Sequence, residues 1–254
     1  MKKKILITTG GSGGHVLPAI TIYDHLKVEY DVLISTDLRG HKYLDSDIYK
    51  VFVVNTPKLN KLILLPFAII KVFFLTLRSL FLLKREKIEI LISTGGYMSL
   101  PLCLAAKVGN IKIFLLEPNM IIGRANRFFL NFCEKIICYD SNIIGFPDKF
   151  QNKLKVSHPL IRKKYFDMNY KVDVDRIFTI IIIGGSQGAK IFDEIVHESI
   201  LKISKTKPLK IIHQTNKKNV HFLKKFYTDN KIENIIFDFD ENLNILLEQA
   251  DLCI

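Results

Sequence analysis

Cysteine is scarce in this sequence and poorly placed for chemistry. The four thiols, Cys103, Cys133, Cys138 and Cys253, form no C-x-x-C pair, and no Cys/His group has zinc-site spacing. A structural zinc and a dithiol redox centre are excluded on that ground. All four sit in apolar stretches and are expected to be buried free thiols in a reducing compartment. No glycine loop ends in G-K-[ST], which removes the Walker A class of nucleotide site. No RNP-like aromatic motif or helix-turn-helix pattern occurs and the lysines are scattered, so no nucleic-acid partner is expected. Acidic side chains are outnumbered: 25 Asp and Glu against 37 Lys and Arg give a net charge of +12, which calls for an anionic partner. The start, Met1-Lys2-Lys3-Lys4 and then Ile5-Leu6-Ile7, has too short an apolar core for a signal peptide, and glycines follow at once. It reads as a first buried strand.

Short aliphatic runs are plentiful. Apolar residues make up 48% of the 254, the share of a globular chain with a sizeable core. Runs at 4–8, 30–35, 50–54, 88–93, 112–116, 135–138, 177–183, 210–213 and 234–237 read as strands. Many are unbroken Ile/Leu/Val, as parallel strands covered on both faces require. Helical patterns follow several of them, an order that means an α/β fold with parallel sheets. The strand–glycine–helix opening at 5–14 recurs at 177–185. Two Rossmann-like domains are therefore expected, over 1–157 and 177–254, with a polar linker at 158–176. Such a domain runs to roughly 100–150 residues. The chain stops at Ile254 within an apolar run, so the second domain is expected to be incomplete.

Three glycine loops end apolar runs. The first is Thr9-Gly10-Gly11-Ser12-Gly13-Gly14-His15-Val16-Leu17-Pro18, ahead of a helical pattern from Ala19. Its glycines allow a tight turn and close approach of a ligand to backbone amides, and the helix start favours an anion. Val16 stands where dinucleotide spacing needs a third glycine. The second loop is Ser93-Thr94-Gly95-Gly96-Tyr97-Met98-Ser99-Leu100-Pro101, a second wall for the same cleft. The third is Gly184-Gly185-Ser186-Gln187-Gly188-Ala189-Lys190, whose amides can hold a diphosphate without metal. His15 closes the first loop. Neutral imidazole accepts a proton near neutral pH, so His15 can serve as a base, or it can hydrogen-bond phosphate or backbone. Asp173-Val174-Asp175 has the form of a metal pair but sits in the polar linker and reads as solvated charge.

Taken together, the three loops resemble those of the MurG family, which reads GGTGGHxxP, GGYxSxP and GGSQGA in the same order. Glu117-Pro118-Asn119 matches the family's E-x-N segment, and His213-Gln214 follows the next strand as in relatives. Ser157-His158-Pro159-Leu160-Ile161-Arg162 departs from the family's G-N-P-x-R, with the arginine one place late. A further donor-binding loop of the family would fall after Ile254. The resemblance implies a GT-B fold and transfer of N-acetylglucosamine from UDP-GlcNAc to undecaprenyl-diphosphoryl-MurNAc-pentapeptide, by an inverting displacement with no metal or cofactor. It implies His15 as the catalytic base. It implies substrate contacts at Ser12, Gly13, Gly14, Gly95, Gly96, Tyr97, Ser99, Glu117, Asn119, Arg162, Ser186, Gln187 and Gly188. It also implies a peripheral place on the cytoplasmic face of the inner membrane.

Residues 62–85 are more apolar than a surface helix should be. Pro66, Lys71 and Arg78 interrupt the run, and a span would put two halves of one sheet on opposite sides of a bilayer. Lys71, Arg78 and Arg85 recur every seven residues and so share one stripe. An in-plane helix touching lipid through Phe74 and Phe81, with the cations at headgroups, fits this pattern. A buried core helix and a true span are the alternatives. Two other functions stay open: a non-catalytic membrane-bound partner presenting lipid to a donor-binding subunit, and a transferase for a different lipid acceptor.

Overall fold

Aliphatic runs bounded by glycine or polar residues become parallel strands, and these sort into two sheets. The computed structural model describes residues 2–11, 13–57, 65–166, 176–184, 190–238, 240 and 242–254. The chain divides into two compact units, Met1–Lys163 and Lys164–Ile254.

The first unit has seven strands: β1 Lys4–Thr8, β2 Asp31–Thr36, β3 Val51–Val53, β4 Ile90–Ser93, β5 Lys112–Glu117, β6 Lys135–Cys138 and β7 Leu154–Val156. Their order is β3-β2-β1-β4-β5-β6-β7, with every pairing parallel. Ile7 of β1 pairs with Ile34 on one side and Ile92 on the other. The chain winds outward from β1 to β3, then returns to the far side of β1 as β4. That reversal opens a crevice at the carboxyl ends of β1 and β4, where open α/β sheets bind ligands.

Helices α1 (Gly13–Leu26), α2 (Leu65–Arg85), α3 (Leu100–Val108) and α4 (Arg124–Phe129) cover the sheet. Ile5, Ile7 and Val32 bury against Ala19 of α1. Leu91, Leu102, Leu115 and Phe129 bury in another cluster. Full burial of each such side chain contributes about 1.5–3 kcal/mol. α1 begins at Gly13, six residues before the helical pattern read at Ala19. Pro18 lies inside it, where the missing amide would have met the Gly14 carbonyl, so one helical bond is forgone and the helix continues. β7 escaped the sequence reading because three residues of an edge strand carry no clear alternation.

Cys103, Cys133 and Cys138 are buried, and burial pushes the Cys103 thiol up to about 12 and that of Cys138 up to about 11. Cys253 corrects the expectation for the four: it is exposed. It lies on the two-residue strand Leu252–Cys253, both residues of which are exposed.

α2 connects β3 to β4 of a single sheet. Pro66 does not break it; it sits in the first turn, where an amide would be unpaired anyway. Ala68, Val72, Ser79 and Leu83 form the buried face at helical spacing. Phe67, Ile70, Phe74, Leu77 and Phe81 form an opposite face exposed to solvent, with Phe67 73% and Phe81 66% accessible. Pro66–Arg85 is long and apolar enough to cross a membrane, by length and composition, and 22% of it is buried. Both its ends are tied into one sheet, the geometry of a surface helix.

The second unit has β8 Phe178–Ile183, β9 Leu209–Gln214, β10 Glu233–Phe237 and β11 Leu252–Cys253, in parallel order β10-β9-β8-β11. Helices α5 (Lys190–Ser204), α6 (Val220–Asp229) and α7 (Leu243–Glu248) connect them. Ile180, Ile182, Ile211 and Leu223 form its core with Tyr227. Asp251 closes the β8 end, accepting from the Thr179 amide at 2.7 Å and pairing with Arg176 at 2.6 Å.

A polar cluster is buried in this unit. Asp193 Oδ2 accepts from the hydroxyl of Thr215 and the amide of Asn219, each at 2.7 Å. His213 Nδ1 lies 3.2 Å from the Tyr227 hydroxyl. Its Nε2 is 3.3 Å from Asp193 Oδ1, a close contact short of an aligned hydrogen bond. Burial pulls the His213 imidazole below its ordinary range, against the opposing charge of Asp193. The unfolded chain therefore takes up this proton first as pH falls below about 6.5, and stability present above that pH is lost. Urea unfolding at pH 7.5 and pH 5.5 should show the lower midpoint at pH 5.5. His213→Asn should reduce that difference, and an unchanged difference would contradict the assignment.

Candidate active site

β1, β2, β4 and β5 end side by side at Thr8, Thr36, Ser93 and Glu117, and the loops that follow are laced together. The Thr9 amide donates to the Ser35 carbonyl at 2.8 Å and the Thr94 amide to the Thr8 carbonyl at 3.1 Å. The Thr94 hydroxyl donates to that of Thr9 at 2.8 Å. A Cβ on Gly10 would lie 3.0 Å from Met98 Cγ and 3.1 Å from Asp37 Oδ1, so glycine is what lets the two loops touch.

His15, half-buried in the first turn of α1, spans the crevice. Its Nδ1 is 2.8 Å from the Thr94 carbonyl oxygen. A carbonyl only accepts, so Nδ1 carries the proton and the lone pair of the neutral ring is left on Nε2. Nε2 faces Gly96, whose φ of +81° is glycine's and whose missing Cβ would sit 3.7 Å away. Burial at the loops is uneven: Gly13 is buried and Gly14 exposed. Ser99 is 0% exposed, and its hydroxyl donates to the Gly96 carbonyl at 2.8 Å, so it shapes the loop from within. Ser93 Oγ accepts from the Gly95 amide at 3.1 Å in the same way.

Two side chains absent from the sequence reading hold this region. Asp37, just past β2 and 3% exposed, accepts from the amides of Gly11 at 2.9 Å and Gly40 at 2.8 Å through Oδ1. Its Oδ2 accepts from Arg39 Nε at 2.8 Å. Burial alone would raise the Asp37 carboxyl, but these amides and the guanidinium hold it below the ordinary carboxylate range. Arg39 reaches on to donate to the Tyr97 hydroxyl at 2.7 Å, with its guanidinium 5.7 Å from the centre of that ring. Nothing in the sequence singles out Asp37, which follows a strand ending in Ser35-Thr36 and carries no glycine motif.

Glu117, at the end of β5 and 2% exposed, is surrounded by donors. Oε1 accepts from the side-chain amide of Asn119 at 2.9 Å and its backbone amide at 3.3 Å. Oε2 accepts from the Gly123 amide at 2.7 Å and Asn126 Nδ2 at 3.0 Å. Four protein donors thus occupy the carboxylate, which fixes the turn into α4 and leaves Asn119 exposed above it. Asn126, also unread in the sequence, touches the second loop: a Cβ on Gly95 would lie 3.3 Å from its Nδ2.

The structure thus brings Gly13, Gly14, His15, Gly95, Gly96, Tyr97, Ser99, Glu117 and Asn119 to one edge of the sheet. Ser12, Ser186, Gln187 and Gly188 lie outside the described residues, as do Asp173 and Asp175. Arg162 is placed elsewhere. Its charge acts on Tyr49, ahead of β3, and the carbonyl of neighbouring Ile161 lies 3.2 Å from His25 Nε2, in the last turn of α1. Among the described residues no hydrogen bond or ion pair joins Arg162 to the glycine loops. No group of three His, Cys, Asp or Glu side chains with metal-site geometry occurs among the described residues.

Known proteins match along the whole chain. The N-terminal domain of glycosyltransferase family 28 matches residues 5–138 and its C-terminal domain residues 179–254. A Pelagibacter ubique protein is 48% identical over 100% of this chain and 72% of its own length. It is named UDP-N-acetylglucosamine--N-acetylmuramyl-(pentapeptide) pyrophosphoryl-undecaprenol N-acetylglucosamine transferase. A Rickettsia canadensis protein of the same name is 33% identical over 99% of this chain and 72% of its own. The crystal structure of Acinetobacter baumannii MurG superimposes with a TM-score of 0.69 at 20% identity, over 100% of this chain and 72% of that one. With both family domains matched in order and nearly half the residues shared with one relative, the chain belongs to glycosyltransferase family 28, among its MurG members.

Proposed function

We propose that this chain moves N-acetylglucosamine from UDP-N-acetylglucosamine to undecaprenyl-diphosphoryl-MurNAc-pentapeptide, converting lipid I to lipid II in peptidoglycan synthesis. Relatives at 48% and 33% identity carry that transferase name. The observation that carries the chemistry is His15, whose Nδ1 is committed to the Thr94 carbonyl and whose Nε2 is left bare beside Gly96. An acceptor hydroxyl placed at Nε2 gives up its proton there. Its oxygen attacks the anomeric carbon of the donor sugar from the side opposite UDP. The bond from that carbon to the diphosphate oxygen breaks, and UDP leaves with the electron pair. The imidazolium so formed keeps its bond from Nδ1 to the Thr94 carbonyl.

The displacement is inverting and needs no metal in this reading. Its support is the glycine-rich 184–189 sequence between β8 and α5, since backbone amides of such a sequence can meet the negative charge of departing diphosphate. Backbone amides at Gly13 and Gly14, with Tyr97 and Asn119, line the acceptor side. Glu117 acts through Asn119 and α4 as a positioning residue.

α2 is the proposed lipid contact. Phe67, Phe74 and Phe81 enter the interface, and Lys71, Arg78 and Arg85 run beside them at headgroup level. This makes the chain a peripheral protein of the cytoplasmic membrane face, where a lipid-linked acceptor is presented. The face is supported by the exposure of the aromatic stripe and by its cationic flank.

His15→Ala should lower kcat by about 10²–10⁴-fold, the range for loss of a general base, with little change in the KM for UDP-N-acetylglucosamine. Transfer of labelled N-acetylglucosamine to a lipid-linked acceptor measures this; a variant within twofold of the parent would overturn the assignment. For the membrane face, Lys71→Glu with Arg78→Glu should cut co-sedimentation with anionic vesicles at low salt by at least tenfold, since each cation near such a surface contributes about 1 kcal/mol. Equal sedimentation of parent and double variant would count against α2 as the contact.

A further inference from the structure

Arg39 stands at the mouth of the crevice and is not used by the chemistry above. Its guanidinium is fixed at two points, by Nε on Asp37 Oδ2 at 2.8 Å and by Nη2 on the Tyr97 hydroxyl at 2.7 Å. Arginine side chains at surfaces are ordinarily mobile, and holding one in a single pose costs rotamer entropy. The side chain is nevertheless 49% exposed, so its free N–H groups meet solvent. It lies over the first glycine loop: a Cβ on Gly11 would be 3.5 Å from Nη2. Tyr97 adjoins Gly96, which in turn faces the bare nitrogen of His15.

Two backbone amides fill Asp37 Oδ1 and Arg39 Nε fills Oδ2. The same bond that neutralises the carboxylate aims the guanidinium. Among the described residues Nη1 and one Nη2 hydrogen have no partner, and together they offer a planar donor pair, which suits a phosphate oxygen pair.

We infer that Arg39 is a ligand of the acceptor's diphosphate, gripping it over Gly11 while the sugar hydroxyl reaches His15. This rests on the functional reading above and adds a charge contact to it. The diphosphate of the donor is the competing source of the same chemistry, and the two are separable. Arg39→Gln should raise the KM for the lipid-linked acceptor about ten- to hundredfold, the range for a lost charge-assisted hydrogen bond, and leave that for UDP-N-acetylglucosamine within twofold. Arg39→Lys should recover little, because an ammonium cannot make the planar pair. Tyr97→Phe keeps the cation and removes one of its anchors, and should fall between the parent and Arg39→Gln.

Direct binding of a short-chain polyprenyl diphosphate in detergent, with the matching polyprenol as control, gives a readout independent of turnover. The parent should bind the diphosphate at least tenfold more tightly than Arg39→Gln does, with equal binding of the alcohol, which shows that the variant is folded. Parent binding of the diphosphate without any loss in Arg39→Gln overturns this inference and leaves the function standing. A shifted donor KM with an unchanged acceptor KM assigns Arg39 to the donor and also overturns it. No diphosphate binding by the parent removes both.

Discussion

A single hydrogen bond across the switch point organises the chemistry of the first unit. His15 comes from α1, which follows β1; its acceptor, the Thr94 carbonyl, follows β4. β1 and β4 are neighbours only because the chain reverses its winding direction between β3 and β4. The bond therefore exists by virtue of strand order. It fixes the ring and its tautomer together, and it leaves Nε2 over Gly96, whose lack of a side chain keeps that side open. The surrounding lattice serves the same end. Thr9 and Thr94 tie the strand ends, Ser99 and Ser93 hold the second loop from beneath, and Asp37 holds the first.

The same topology explains how an apolar helix can be exposed. α2 must carry the chain from β3 back across to β4 on one face of the sheet, so only its Ala68–Leu83 stripe is needed for the core. The opposite stripe is free to be phenylalanine and isoleucine if lipid covers it. Seven-residue spacing then keeps Lys71, Arg78 and Arg85 along one margin of that stripe. The glycine loops with His15 and the exposed apolar stripe thus belong to one compact unit.

Much of this was legible in the residues. Unbroken Ile/Leu/Val runs announced parallel strands because both faces are covered, and strand ends marked by paired glycines announced the crevice. His15 could be read because it closes such a loop. Asp37, Arg39 and Asn126 could not, since they meet the loops through strand order rather than through sequence proximity. Ser99 and Glu117 were readable as residues of the loops, but their placement was not. One is buried under the second loop and the other is enclosed by four donors, and both facts arise from packing. The start of α1 was misplaced because Pro18 looks like a boundary, whereas a proline early in a helix forgoes only one bond. Cys253 shares the apolar surroundings of the other thiols in sequence, yet it is exposed.

The tautomer of His15 is the most direct test, because base chemistry at Nε2 requires the proton to be on Nδ1. Long-range proton–nitrogen correlation spectra of protein with ¹⁵N-labelled imidazoles, with His15 assigned by the loss of its peaks in His15→Gln, read this without substrate. A protonated Nδ1 with an unprotonated Nε2 in the neutral ring is the result the account requires. A protonated Nε2 would mean that the ring does not donate to Thr94, and the proposed proton transfer would have no acceptor.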